Sequence, residues 1–257
     1  VTQAGTARDS FLLDTLFDSV SVERWVAPSR GRPLPDRFYY ACYADSWRIP
    51  HWVIYYATRQ RLGGRLNRSD DFRPNPALPA GLRVRPDDYR RAGFDRGHLA
   101  PAADFAFDRD ALSATFLMSN MSPQYPAMNR GMWRQVEDQA RTMVRSQGQG
   151  WVITGNTWMA TDSSAVEPTE WLRRDGHKWI AVPSHLFKAV LVRDSAGRLG
   201  MYGYLVPNQA AQIAGTVADH LVTVRRLEQI TGWDFFPLLP DPLEDSLETR
   251  RPESPGR

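Results

Sequence analysis

One cysteine in 257 residues means that no internal disulfide can form, so the chain folds without covalent cross-links. Cys42 stands in the aromatic run Phe38-Tyr39-Tyr40-Ala41-Cys42-Tyr43 and reads as a small buried hydrophobe. A lone cysteine leaves the redox compartment open. Lysine is nearly as scarce. Lys178 and Lys188 are the only two, so the positive charge is almost all arginine, which favours forked phosphate contacts but also follows from genome base composition. No uninterrupted apolar run has the length that spans a bilayer, and no internal repeat is present. The chain opens at Val1 without a basic-then-apolar leader, so any targeting segment is expected to have been removed or never to have been there. No two histidines stand four apart, as on a zinc-binding helix, and no Gly-x-Ser-x-Gly string marks a nucleophile elbow. Those absences remove two hydrolase classes.

What is present is the composition of a soluble globular protein, 42% hydrophobic and 24% charged, at a length suited to one large core. A net charge of +3 and a pI near 9.2 permit a polyanionic partner without requiring one. Residues 10–17 have apolar spacing for one or two helical turns, a packing arm, and residues 28–37 read as loop. Aromatic and β-branched runs at 38–43 and 51–57 look like an antiparallel pair. The arginine-rich stretch 59–91 is either a wall that grips phosphate or a solvated loop. Met132, Trp133, Val136, Ala140 and Val144 recur at helical spacing, which predicts an amphipathic helix ending near Gly148 with Asn129 as a cap at its first turn. Strands are expected at 151–155, 179–182 and 186–192, and Asp194-Ser195-Ala196-Gly197 turns into a hairpin partner at 199–206. A polar insertion fills 160–176, a helix is expected over 210–230, and the Pro- and charge-rich tail 241–257 reads as mobile. The predicted fold class is α+β, with a mainly antiparallel central sheet flanked by helices.

One stretch concentrates chemistry: Phe94-Asp95-Arg96-Gly97-His98-Leu99-Ala100-Pro101-Ala102-Ala103-Asp104. Gly97 lets the backbone bend or come close to a ligand. Arg96 can hold a phosphate through several N–H donors, and His98 can take a proton near neutral pH, a pairing suited to phosphodiester chemistry. Asp95 can orient the imidazole or pair with an arginine. The plainer alternative is an ordinary Asp95–Arg96 ion pair beside a structural histidine. His51, His177, His185 and His220 repeat no such arrangement and read as structural or surface residues.

The string Asp95-Arg96-Gly97-His98-Leu99-Ala100-Pro101 resembles the motif of the DNA/RNA non-specific endonucleases with a ββα-metal site. A second match is Leu117-Met118-Ser119-Asn120-Met121-Ser122-Pro123-Gln124, followed by Asn129, Trp133 and Glu137. Weaker echoes at 152–155, 182–188 and 227–237 extend the likeness from about Phe38 to Pro237. The resemblance implies His98 as general base, Arg96 as stabiliser of phosphoryl charge, Asn120 as part of the site's frame, and Asn129 as the one protein ligand of a divalent metal. That metal would be Mg²⁺, with Mn²⁺ or another divalent ion as a substitute. It further implies Glu137 as acceptor for water on the metal, and 5′-phosphate products from DNA and RNA. Arg68 and Arg73 are the candidates for an upstream substrate-contacting arginine, joined by Arg130. A single amide ligand suits magnesium, which keeps several waters. On a straight helix Glu137 would lie about 12 Å beyond Asn129, facing roughly the same side. The expected organisation is one nuclease domain over 1–240, with 1–37 as arm and loop, and a flexible tail over 241–257. The likeness also implies a possible homodimer and favours a secreted or periplasmic bacterial setting. The rival reading is a catalytically silent nucleic-acid-binding relative of the same fold, which would have lost His98, Asn129 or Glu137; all three are present.

Overall fold

Runs of Val, Ile and aromatic residues become strands of one large antiparallel sheet in the computed structural model, which describes residues 22–27, 30–159 and 168–250. The expected arm at 10–17 lies outside the described residues, as do 160–167 of the polar insertion and the last residues, 251–257. In chain order the first strands are β1 (Val26–Ala27), β2 (Arg32–Pro35), β3 (Tyr40–Ala44) and β4 (Ile49–Thr58). After them come β5 (Asp95–His98), helix α1 (Arg109–Ala114), β6 (Met121–Gln124) and helix α2 (Arg134–Gln147). Then follow β7 (Gln149–Thr157), β8 (Glu170–Arg174), β9 (His177–Val182), β10 (His185–Arg193) and β11 (Leu199–Pro207). The chain closes with β12 (Leu221–Val222), helix α3 (Val224–Thr231), β13 (Asp234–Phe235) and helix α4 (Asp241–Thr249). The large sheet runs β12-β11-β10-β7-β4-β3-β2 with every neighbour antiparallel.

Its central strands read as near-continuous apolar runs because both faces are covered. Along β10, Leu186, Val190 and Val192 enter one core, while Phe187, Ala189 and Leu191 enter the other. Helix α2 lies on the first face, burying Val136, Ala140, Met143 and Val144 against the sheet. Helices α3 and α4 and the β1–β13 pair cover the second. The site is mounted on the first face, where β5 pairs with β6 and the chain then enters the helical segment that becomes α2, a strand–strand–helix unit.

The expected pair at 38–43 and 51–57 appears as β3 and β4, and the hairpin across Asp194–Gly197 as β10 and β11. Four expectations are corrected. Residues 32–35, expected as loop, form edge strand β2, where Pro33 and Pro35 are tolerated because an edge need not donate on its outer side. Helix over 210–230 shrinks to α3: Gly215 has φ +90°, and Thr216 with Asp219 caps a separate short turn. Thr223 then caps α3 by accepting from the Arg226 N–H. Residues 241–249 of the expected mobile tail form α4, whose Leu247 is buried. Asn129 does not cap: Pro126 already starts a helical turn, and Asn129 opens an irregular π-type turn in which Gly131 takes φ −103°, ψ −106° before α2 begins. Cys42 is buried, its thiol donating to the Arg30 carbonyl, and burial pushes that thiol up to about 12.

Candidate active site

The β5–β6 pairing sets the site's geometry. Asp95 pairs with Gln124 and Gly97 with Ser122, so the Gln124 side chain crosses over Gly97. A Cβ on Gly97 would fall 2.0 Å from the Gln124 carboxamide carbon, and only glycine leaves room. Arg96 and His98 alternate to the other side. Just after β5, Asn120 pins the chain: its Oδ1 accepts from the Ala100 N–H at 2.9 Å, and its Nδ2 donates to the carbonyls of Ala100 and Thr115. All of its polar atoms are thereby used.

His98 sits in an aromatic box. The Phe116 ring meets it edge-on at 5.0 Å, and Phe72 lies at 5.7 Å. The guanidinium of Arg96 covers Phe72 at 4.0 Å, and that of Arg68 lies 5.4 Å from Phe116. Burial, with Arg68 and Arg96 adding to it, pulls the His98 imidazole down to about 3. It is therefore neutral, and able to accept a proton, throughout the ordinary pH range. Its Nε2 is buried with no hydrogen-bond partner, a state that buried polar atoms rarely hold without a functional reason.

Across the cleft, Asn129 Nδ2 donates to Asp95 Oδ2 at 2.9 Å, and Arg130 grips the same carboxylate through Nε at 2.9 Å and a terminal nitrogen at 2.6 Å. Burial raises the Asp95 carboxyl, but hydrogen bonds from Arg130 and Asn129 outweigh it and hold the group below the usual range. Asp95 thus pairs with an arginine and does not orient the imidazole. With Nδ2 engaged, the amide oxygen of Asn129 is the atom left to act as a donor toward a cation.

Arg68, Arg96, His98, Asn129, Arg130 and Glu137 line one cleft of about 740 Å³. An adjoining lobe of about 560 Å³ shares Arg68, Arg96, Asn129 and Arg130 with it. Seven arginines face the cleft against two acids, Glu137 and Asp138, so its field suits a polyanion. Glu137 is reached around the break at Gly131 rather than along a straight helix. Burial pushes its carboxyl up, and the nearby Lys188 ammonium opposes that push. One predicted residue falls elsewhere. Arg73 is tied to Asp71 at 2.8 Å and to the Ser113 carbonyl, and it lines a different hollow beside Tyr39 and Asn75. Asn120, fully buried, frames the turn after His98 from beneath and does not line the cleft.

Several residues beneath the cleft escaped the sequence reading. Asp104 accepts from the Tyr55 hydroxyl at 2.5 Å and from Arg141 Nε at 2.6 Å, and Arg141 also reaches Asp138. Lys188 is wholly buried below them. A signal existed for both: Asp104 closes the motif stretch, and a lysine inside an apolar strand run is an anomaly.

The donor set suits a hard cation, since Asn129 and Glu137 offer oxygen and no sulfur or imidazole cluster competes in the cleft. Glu228, Asp234 and Glu248 are the one trio of possible ligands that converge within 4.8 Å among the described residues. They lie on the other side of the sheet, where Glu248 is tied to Arg225.

Residues 27–242 match the family model for DNA/RNA non-specific endonucleases. The chain belongs to that family. Mouse mitochondrial nuclease EXOG is 30% identical over 201 residues, covering 77% of this chain and 55% of its own length. Human mitochondrial endonuclease G is 32% identical over 200 residues, 77% of this chain and 67% of its length. A nuclease of Nostoc sp. is 31% identical over 258 residues, 93% of this chain and 89% of its own. The chain thus spans little more than half of mouse EXOG but most of the Nostoc relative. EndoG, solved in complex with EndoGI in a study of EndoG inhibition, has the same fold: TM-score 0.76 at 24% identity, covering 93% of this chain and 95% of that one. An antiparallel sheet carrying a strand–strand–helix unit is therefore the architecture this endonuclease-family chain shares with EndoG.

Proposed function

We propose that the protein hydrolyses phosphodiester bonds of DNA and RNA with little sequence preference and depends on a divalent cation, magnesium in the first instance. The observation that carries this is the convergence of a neutral, desolvated His98 with Asn129 and Glu137 in one arginine-lined cleft.

His98, held neutral with its Nε2 unpaired, takes the proton from the attacking water. Arg96, braced on the face of Phe72, meets the non-bridging phosphoryl oxygens as negative charge builds there. Arg68 and Arg130 hold the flanking phosphates and fix the register of the strand without reading bases. Asn129 would hold the ion through its amide oxygen, oriented by Asp95, with Glu137 beside it. When bound, the ion supplies Lewis acidity at the phosphate and charge neutralisation for the leaving 3′ oxygen, which leaves the phosphate on the 5′ end.

The test is digestion of plasmid DNA and of structured RNA by the purified protein. Cleavage of both with Mg²⁺ is expected, with loss on chelation and in a folded His98→Ala variant, and 5′-phosphate ends on the fragments. Full activity in folded His98→Ala would remove the base. Substrate that is bound but left intact under every divalent ion tried would favour a silent binding relative.

A further inference from the structure

The cleft does not end at its catalytic residues. Beyond Arg65 it runs on into a second groove of about 900 Å³, with which it shares Gly64, Arg65, Leu66 and Ala106. The two meet where residue 64 lies against residues 106 and 107: a Cβ on Gly64 would fall 2.3 Å from the Ala106 carbonyl carbon and from the Phe107 nitrogen, so only glycine allows the approach. The Leu66 N–H donates to the Ala106 carbonyl at 3.0 Å and fixes the same contact.

The wall of this groove is clamped to the body of the protein. Leu62, inside the turn Arg61–Gly63, is buried in the core under the cleft face. Arg59 ties the turn to the end of α2, its N–H donating to the Gly148 carbonyl at 2.8 Å and its guanidinium to the carbonyls of Arg145 and Ser146. Arg145, which also lines the cleft, donates to the Leu62 carbonyl. A surface held this firmly needs little ordering when a ligand arrives.

Its chemistry is that of free cations beside an apolar floor. Arg68, Arg73, Arg90 and Arg130 each meet an aspartate. Arg61 and Arg65 are exposed and pair with no carboxylate among the described residues, and no acid among those residues lines the groove. The floor is Leu66, Ala106 and the half-buried ring of Phe107, with the Arg61 guanidinium 5.5 Å from the ring centre. A duplex would offer such a groove its phosphates alone, because its base faces are stacked inside; an unpaired strand offers phosphates and base faces together. We propose that the groove takes an unpaired stretch of the substrate as it leaves the cleft, with phosphates on Arg61 and Arg65 and bases against Phe107 and Leu66. The identity of the ligand rests on the nuclease reading above.

The experiment measures binding to the folded His98→Ala protein, so that the ligand stays whole, by fluorescence anisotropy of a labelled single-stranded oligonucleotide of about 12 nucleotides and of a blunt hairpin duplex. Gly63 is the place to block the groove. It lines the groove but not the cleft, its φ is not positive, and a Cβ there would meet nothing within 4 Å, so a side chain enters the groove without disturbing the fold. Gly63→Glu should raise Kd for the single strand by about fivefold or more, with a smaller rise for the duplex. Arg61→Gln should flatten the slope of log Kd against log salt by about 0.7 for the single strand, the loss of one phosphate contact. An unmoved Kd in Gly63→Glu, or an unmoved slope in Arg61→Gln, would overturn the groove as a binding site. An equal rise for both ligands would overturn its assignment to an unpaired strand. Cleavage by the unsubstituted protein is scored separately: a protein that binds through the groove and cuts nothing loses the nuclease reading and keeps this one, while one that cuts and is indifferent to both variants does the reverse.

Discussion

The two faces of the central sheet are made by alternate residues of the same strands, and they are built to different rules. On one, Phe187, Ala189 and Leu191 of β10 meet Trp25, Trp151 and Phe235 in an aromatic core. On the other, Leu186 and Val190 flank Lys188 beneath α2, with Tyr55, Asp104 and Arg141 close by. The aromatic face is packed by rings, and its largely buried acids, Glu228 and Glu248, are gathered at its edge around Arg225. The face under the cleft gives up some of that packing to set charges below a site. Stability and chemistry should therefore separate by face.

The largest effects test that separation directly. Phe187→Ala, at a fully buried ring 5.4 Å from Phe235, should cost about 3–5 kcal/mol in chemical denaturation. Activity per folded molecule should survive it. His98→Ala should do the opposite, lowering cleavage by about 10²–10⁴-fold with little change in the denaturation midpoint. If Phe187→Ala loses activity in proportion to His98→Ala while still folded, the two faces are not independent.

Acid sharpens the comparison, because each side holds a histidine whose basicity burial depresses. His98 falls to about 3; His51, between Trp47 and Trp233, falls to about 4. In both cases the folded state refuses a proton that the unfolded chain accepts below about pH 6.5, so stability is present above that value and is lost as pH falls toward the folded-state value. Between pH 7 and pH 5 each should cost about 2 kcal/mol. His98→Phe and His51→Phe should each remove that share of the acid sensitivity, and only the first should abolish cleavage. An unchanged pH dependence of Tm in His98→Phe would mean that the ring is solvated in the native state.

Much of this was legible in the residues, for identifiable reasons. Arg96 and His98 stand out from the residues themselves, on either side of Gly97, whereas Asn129 enters only through the likeness to the endonuclease family; the cleft brings all three together. The strands were readable from β-branched and aromatic runs. Asn129 was misread as a cap because the partner that claims its amide, Asp95, is 34 residues away and invisible to a local pattern. Arg68 and Arg73 could not be ranked, since the stretch that carries them has no period; long-range backbone ties, from Leu66 to Ala106 and from Arg73 to Phe116 and Met118, decide where that stretch lies. The helix at 241–249 was hidden by Pro and charge, although Leu243 and Leu247 stand four apart and reach the aromatic core.

A smaller effect separates the Asn129 cleft from the acidic trio on the aromatic side. Asn129→Ala should weaken Mg²⁺ binding by about tenfold in calorimetry, as removal of a directing or ligating group does. Glu228→Gln, in the acidic trio on the aromatic side, should leave it unchanged. The reverse result would move the ion to the trio and return Asn129 to a purely structural role through Asp95.

The smallest predicted effect concerns the two upstream arginines. Arg68 is an exposed cation beside His98 and Arg96, with a loose 3.5 Å pairing to Asp70. Arg73 is bound to Asp71 and to the Ser113 carbonyl on another wall. Arg68→Gln should flatten the slope of log KM against log salt by about one unit, the loss of one phosphate contact. Arg73→Gln should leave that slope alone and shift stability by no more than about 1 kcal/mol, as expected for a partly exposed ion pair. Equal slopes for the two variants would show that the substrate's charge is felt over the whole surface and not along the cleft, and the arginines lining that cleft would lose their claim to a specific path.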